Sequence, residues 1–368
     1  MPRLLLAGAL AFIPALAWGL ASPTTGLVWL IGCAIGWLLV LSRLSFSGAF
    51  RRLILARDSE AFAPILLLLV ALVLGSGLLL SLEAPLQLQL TLSKAPITVS
   101  FLAGAFLFGL GMQLAGRCGS GTLASAERPD AGFALTLAGL VLGVFAASLQ
   151  RPQLERLLPI GLPPISLLDA WPLWAAVLLQ LLVLALLVWG LWLWCGRAPA
   201  LPAGRRVPLL ALAGAMLLVL LVSGEPWKVL WGLGLTGAHA ARSLGWNPAD
   251  SVFWSAPARL QLLAGPGQWL RHEAVVVDLA VIAGAFAAGQ WRRAGAVAST
   301  PPGAVLAKSA SGGLLMGFGG FLSYGCNISS FLGGVMSFSL HAWIWLLAAL
   351  AGSGFWLALE RRWRREQV

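Results

Sequence analysis

The sequence predicts an all-α integral membrane protein: about 9–10 transmembrane helices plus re-entrant half-helices, arranged as two inverted repeats. Three observations carry this. Of 368 residues, 59% are hydrophobic and only 10% charged, with a mean hydropathy of +0.89; a soluble chain carries about 25% charged residues. The apolar runs are long and leucine-rich, whereas barrel strands would alternate over roughly ten residues. Finally, a glycine-rich stretch around residue 104 recurs around residue 312.

A crossing needs about 20 apolar residues. The candidate spans are 4–20, 26–42, 62–82, 97–116, 132–149, 172–195, 208–223, 274–290, 304–323 and 341–359. The first, in MPRLLLAGALAFIPALAWGLASP, has the outline of a signal peptide with an ALA-like site. A second apolar run follows at once, which favours a retained first helix. Segments 117–130, 227–247 and 324–340 are too apolar for ordinary loops. They suggest re-entrant half-helices, because broken backbone at membrane depth needs protein or a wet cavity around it.

Arginine sets the orientation. Segments 42–60, 196–206, 291–303 and 360–368 hold Arg43, Arg51, Arg52, Arg57, Arg197, Arg205, Arg206, Arg292, Arg293, Arg361, Arg362, Arg364 and Arg365. Segments 83–96, 150–171 and 224–273 spread Lys94, Arg151, Arg156, Lys228, Arg242, Arg259 and Arg271 over more residues. The first set is expected inside, with both termini cytoplasmic. The net charge of +11 then reflects inner arginines. No nucleic-acid motif or basic–aromatic interleaving accompanies it, so nucleic acid is not an expected partner.

Aligning residue n with n+208 places GAFLFGLGMQLAGRCGSGTL (104–123) on GGLLMGFGGFLSYGCNISSF (312–331). Gly104 meets Gly312, Gly109 meets Gly317, Gly111 meets Gly319, Leu114 meets Leu322 and Cys118 meets Cys326. The first copy starts from an external segment and the second from an internal one, the trace of an inverted repeat with a site near the midplane. The expected organisation is one transmembrane domain over 1–368. Its halves are 1–160 and 205–360, joined by helix 172–195 and a cytoplasmic linker 196–206. Two unrelated glycine-rich packing helices are the competing explanation.

Four cysteines occur, with no CxxC pair and no Cys/His cluster of zinc spacing, so neither metal nor cofactor is expected. Cys33 and Cys195 lie inside apolar runs and read as packing residues. Cys118 precedes GSGT and Cys326 precedes NISS. Both look like the start of a new half-helix, where free N–H groups suit an anion, although Ser and Asn also cap helices that bind nothing. The thiols are either small buried residues or polarizable contacts for a soft anion. Candidate path residues are therefore Cys118, Gly119, Ser120, Gly121, Gly325, Cys326, Asn327 and Ser329. Arg117 is either an anion contact at membrane depth or a snorkelling residue.

His239, His272 and His341 lie far apart, with no carboxylate at a catalytic spacing. His341 reads as a helix start more readily than as a proton relay. Asp278, in VVVDLAV, is the exceptional acid in an apolar run, able to carry a proton or pair with a cation. Many of the 18 tryptophans sit near span ends as interfacial anchors.

These residues resemble the YeeE/YedE family of sulfur-species membrane transporters. GGLLMGFGGFLSYGCNISSFLGGVMSFSLHAWIW (312–345) resembles its GCNI-type signature followed by Ser-Leu-His-x-Trp. LAGRCGSGT (114–122) resembles its first-half cysteine loop, SGEPWKVLWGLGLTGAHAARSLGW (223–246) its Pro-Trp segment, and GWLLVLSRLSFSGAFRRL (36–53) its early Ser-Arg-x-Cys-Phe stretch. The resemblance covers about residues 26–359. It implies a bacterial inner-membrane carrier for thiosulfate or a related sulfur or selenium compound, which passes along thiols between two opposed halves. Cys118 and Cys326 match two of those thiols; the third falls on Ser45, a departure that loses the soft sulfur. Cys33 is twelve residues earlier, more than three helical turns away, and is a poor substitute.

The leading expectation is therefore uptake of a small sulfur-containing anion, thiosulfate first, by a protein that is not an enzyme. The partners would be that anion, the lipid bilayer and a cytoplasmic sulfur-carrier protein. The alternatives are a selenium-compound transporter, or a membrane sulfurtransferase or thiol oxidoreductase that forms a cysteine persulfide with Arg117 lowering the thiol pKa. A third reading has glycines and cysteines simply packing a partner subunit.

Overall fold

The structure is a computed structural model and describes residues 8–9, 13–19, 22–292 and 302–366. Among them, nine helical stretches are long and apolar enough to cross a membrane. About half of the expected 4–20 span, most of the 291–303 segment, Arg293 and the side chain of Arg364 lie outside the described residues. Residues 13–19 are helical, and Trp18 packs on Trp29 with ring centroids 4.6 Å apart.

Helix α1 (Pro23–Ser42) starts on a proline and stops where Arg43 turns left-handed, φ 50°. The next stretch departs from the expected inner loop 42–60. It forms helix α2 (Phe46–Ala56), because Phe46, Phe50 and Leu53 bury one face while the remaining face carries Arg51 and Arg52. Arg51 pairs with Glu360 at 2.8 Å. α3 (Ala63–Ser81) crosses next, and then α4 (Val99–Ala115), whose first turn is capped by Thr98 accepting from Phe101 N–H (3.1 Å). Gly116, at φ 70°, ends α4, and the short α5 (Gly119–Ala124) follows.

α6 (Ala131–Leu157) outruns its expected span 132–149 by about two turns, carrying Pro152 inside it. α7 (Leu173–Cys195) turns Trp174, Leu178, Leu182, Leu186, Trp189 and Leu193 outward, as a lipid-facing helix does. α8 (Ala203–Ser223), the half-length α9 (Val229–Ser243) and α10 (Glu273–Trp291) follow. α11 (Gly303–Leu322) breaks at Tyr324 and Gly325, and a π-helical turn, Asn327–Leu332, continues as α12 (Gly333–Met336). α13 (His341–Glu366) closes the chain. All three segments expected to be re-entrant thus contain short or half-length helices.

Glycine lets the central helices touch backbone to backbone. A Cβ on Gly104 would lie 2.5 Å from Gly319 O, and one on Gly111 2.7 Å from Gly312 O, so α4 and α11 run antiparallel. Gly139 and Gly143 pack on Ala310 and Leu314, which makes α6 parallel to α11. Gly109 and Gly352 pack on Ala349 and Phe106 respectively, within the α4–α13 pair.

Loops gather at two faces. Arg205 donates to Ser42 O (3.0 Å), Ser59 Oγ to Arg197 O (2.9 Å), Arg292 to Val40 O (3.4 Å) and Arg361 to Leu55 O (3.2 Å). These segments form an arginine-rich face. At the opposite face Thr91 N–H donates to Gly224 O (2.6 Å), Lys94 pairs with Asp169 (2.6 Å) and Ser93 N–H donates to Ser337 Oγ (2.8 Å). The two sets of loops separated by arginine counting are therefore separate in space as well.

Candidate functional site

Ser45, Cys118 and Cys326 share one local role: each is the residue that caps a short helix. Ser45 Oγ accepts from Gly48 N–H (3.1 Å) at the start of α2. Cys118 Sγ accepts from Gly121 N–H (3.3 Å) at the start of α5, and Cys326 Sγ from Ile328 N–H (3.4 Å) at the π-helical turn. The matched thiols also each sit beside a hydroxyl: Cys118 Sγ is 3.6 Å from Ser120 Oγ, and Cys326 Sγ 3.6 Å from Ser329 Oγ. Ser329 Oγ in turn accepts from Cys326 N–H (3.0 Å), a reciprocal cap. With its lone pair engaged by a backbone N–H, a thiol retains one S–H to donate.

The two cysteine loops meet. A Cβ on Gly119 would lie 3.2 Å from Cys326 Cβ and 3.4 Å from its Sγ. Asn327 Nδ2 donates to Ser120 Oγ across the junction (3.3 Å), while its Oδ1 is buried without a partner. Cys118 is 1% exposed, and Cys326 and Asn327 are 0% exposed. Gly325 sits at φ 155°, and a Cβ there would strike Ser329 Oγ at 2.4 Å, so the turn requires glycine.

Cavities approach this junction from both faces. One of about 470 Å³ is lined by Ser45, Arg117, Cys118 and Gly121 together with Arg43, Arg128 and Arg292, all near the arginine-rich face. One of about 670 Å³ reaches Gly325 and Ser329 from the opposite side, walled by Lys94, Arg151, Lys228 and Arg259. Cys118 thus borders the first cavity, and the residues flanking Cys326 border the second.

Arg117 borders the 470 Å³ cavity and is ion-paired. Its guanidinium pairs with Asp130 (3.0 and 3.2 Å), and Asp130 caps α6. Burial opposes the charge on Asp130, but the Phe133 N–H and Arg117 outweigh it and hold the carboxyl below the usual carboxylate range. Sequence reasoning missed Asp130, whose signal was an Asp ahead of an apolar run. It also missed the struts under α2: Ser47 Oγ donates to Gly116 O (3.1 Å) and Gln113 Nε2 to Ser47 O (3.1 Å). Nothing local in the sequence marks such long-range pairs. Cys33 is buried against Gly284, as a packing residue would be. His341 starts α13 with Nδ1 2.7 Å from Ser339 Oγ.

The family described as "Sulphur transport" matches residues 41–356. The chain is 28% identical to the "Thiosulfate transporter TsuA" of Spirochaeta thermophila over 340 residues, covering 87% of this chain and 93% of that one. It is 36% identical to "Probable transporter YedE" of Salmonella typhimurium over 77 residues, which is 21% of this chain and only 19% of YedE. YedE of Escherichia coli matches over the same length at 35%. A multi-pass helical bundle whose match runs through both cysteine loops belongs to the sulphur transport family.

Proposed function

We propose that the protein imports a small sulfur-containing anion, thiosulfate first, through a central path at Cys118 and Cys326. The carrying observation is the pair of cavities that reach the joined cysteine caps from opposite faces. The anion enters among Lys94, Arg151, Lys228 and Arg259, and leaves among Arg43, Arg128 and Arg292. Between them the S–H groups of Cys326 and Cys118 hand it on, with Ser329, Ser120 and Asn327 as polar neighbours and Ser45 as the last hydroxyl. The thiosulfate transporter at 28% identity supports the choice of ion. A selenium analogue of similar size and softness fits the same contacts.

Helix ends contribute less than the sequence suggests, since α5 is six residues long and its Gly121 N–H is taken by Cys118. The positive potential instead comes from the arginines and lysines. The persulfide-forming alternative would draw on Arg117, which is paired with Asp130 at 3.0 Å.

Two halves of opposite orientation underlie this reading. Under the n+208 alignment the contacts Gly104–Gly319 and Gly111–Gly312 are mates of one another. Such cross-pairing is what a two-fold axis in the membrane plane produces. The halves are 1–160 and 205–360, and the arginine-rich face lies in the cytoplasm of a bacterial inner membrane, with both termini on that side. A cytoplasmic sulfur carrier docks at that face.

Uptake of ³⁵S-thiosulfate into proteoliposomes tests the proposal. The wild type concentrates label and the Cys118→Ala, Cys326→Ala double variant does not; unchanged uptake in that variant removes the thiols from the path.

A further inference from the structure

Asp278 is the one fully buried carboxyl-bearing residue among the described residues, 3% exposed within α10. Its Oδ1 accepts the indole N–H of Trp227 (2.9 Å), and its Oδ2 has no partner. A Cβ on Gly232 would lie 2.3 Å from Oδ2 and 2.7 Å from Ala274 O, so both oxygens border the space that this glycine leaves open. A protonated carboxyl meets that geometry well: one oxygen accepts from the indole, and the other carries its O–H in the space beside Gly232 that Ala274 O also borders. An ionised one would stand in the bundle without a counter-charge.

Among the described residues, no titratable group faces it from the packed elements. On α1 the titratable residue is Cys33, whose backbone meets α10 at Gly284, more than one turn beyond Asp278. α5 carries none, and Glu127 beyond it meets α10 at Gly289. On α9, Arg242 donates to Leu263 O and His239 stacks on Trp269. Glu225 and Lys228 pair with each other, and Glu273, the first residue of α10, and His272, just before it, lie more than one turn ahead of Asp278.

The indole that holds Asp278 is also the link to the path. Trp227 is flanked in sequence by Pro226 and Lys228, and both line the 670 Å³ cavity with Arg151 and Arg259. The residue that hydrogen-bonds Asp278 thus lies between two residues of the cavity wall. We propose that Asp278 is a proton-binding site coupled to anion passage, which makes the protein an anion–proton symporter. This rests on the import reading above. A proton from water on the cavity side bonds to Oδ2 when the anion is present, and is released to water at the arginine-rich face as the anion leaves; no redox change occurs. One accompanying proton cancels one of the two negative charges of thiosulfate and so lowers the electrical work of moving it inward against an inside-negative potential.

The test uses the full chain in proteoliposomes, with ³⁵S-thiosulfate outside and a pH-sensitive dye trapped inside. Wild type should acidify the interior as label enters, and an acid-outside gradient should speed uptake severalfold. Asp278→Asn keeps the indole acceptor and supplies an N–H in the space beside Gly232; it should take up label without acidification and respond less than twofold to the gradient. Trp227→Phe should keep uptake and shift its pH midpoint by half a unit or more. Label entering wild type without acidification overturns the proton site and leaves the import reading standing, whereas no label entering overturns both. Acidification undiminished in Asp278→Asn, or an unmoved midpoint in Trp227→Phe, also overturns the proton site.

Discussion

Gly119 and Cys326 touch across the junction of the two cysteine loops, with room for a hydrogen but not comfortably for a methyl group. A Cβ on Gly119 would press Cys326 Cβ at 3.2 Å and Sγ at 3.4 Å, so one loop must shift by a few tenths of an ångström. Overpacking of this kind costs about 1–3 kcal/mol. Gly119→Ala is therefore expected to insert and fold, lose a few degrees of melting temperature, and take up thiosulfate about tenfold more slowly, the factor that 1.4 kcal/mol of added barrier gives. Uptake rates and melting curves on the same preparation check it; wild-type uptake would show that the loops do not meet on the path.

Ser45 holds the position where the YeeE/YedE resemblance places a third thiol. Its hydroxyl caps α2 and borders the cavity of the arginine-rich face. Cysteine at 118 and 326 caps in the same way, so Ser45→Cys should leave stability within about 0.5 kcal/mol. The new thiol should react with a membrane-impermeant maleimide in inside-out vesicles and not in right-side-out ones. Labelling from the other side would reverse the assigned orientation. Faster thiosulfate uptake in this variant would show that the serine limits the wild type.

Much of this arrangement was legible in the sequence, and the reason is periodicity. Long apolar runs gave the crossings of α3, α4, α7 and α8 to within a few residues, because a bilayer demands a fixed length. The repeat around Cys118 and Cys326 gave the two loops that meet. What escaped was set by contacts across the bundle. α2 looked like an arginine-bearing loop, because its eleven residues are too few and too charged to signal a span. Its buried face is seen only once Phe46 and Phe331 are brought within 6.3 Å. The Arg117–Asp130 pair escaped because the two residues are thirteen apart, across a turn.

The Arg117–Asp130 pair separates two contributions. Both side chains are more than a quarter exposed, at 26% and 29%, so the ion pair itself is worth at most about 1 kcal/mol. The cap that Asp130 gives α6 is worth about as much again. Asp130→Asn, which keeps a capping oxygen, should cost less stability than Asp130→Ala, and Arg117→Ala should resemble Asp130→Asn. Equal losses in both Asp130 variants, read by thermal melting, would place the whole effect in the charge.

The cavity opposite the arginine-rich face draws on charges that are partly screened, since the Debye length is about 8 Å at physiological ionic strength. Arg259 lies over the Phe253 ring, its CZ atom 3.9 Å from the centroid, and Lys228 pairs with Glu225. Lys228→Gln and Arg259→Gln should raise the half-saturating thiosulfate concentration a few-fold and leave the maximal rate within about twofold, a pattern that marks loss of uniform binding. The difference should shrink as salt rises. A fall in maximal rate alone would move these residues from capture to passage.

His272 supplies a pH dependence of stability separate from any effect on transport. It precedes α10 and receives the Trp231 indole N–H on its ring (3.2 Å). Burial holds its pKa below the ordinary 6.5; the charges of Glu225, which raises it, and Lys228, which lowers it, act in opposite directions. As pH falls, the unfolded chain therefore takes up the proton before the folded one does. The stability contributed by neutral His272 is complete well above 6.5 and is lost below it, as the unfolded state binds more protons. Melting temperature should fall between pH 7.5 and 5, and His272→Gln should flatten that slope while starting from a lower value at pH 7.5. A slope unchanged in His272→Gln would assign the acid sensitivity to another group.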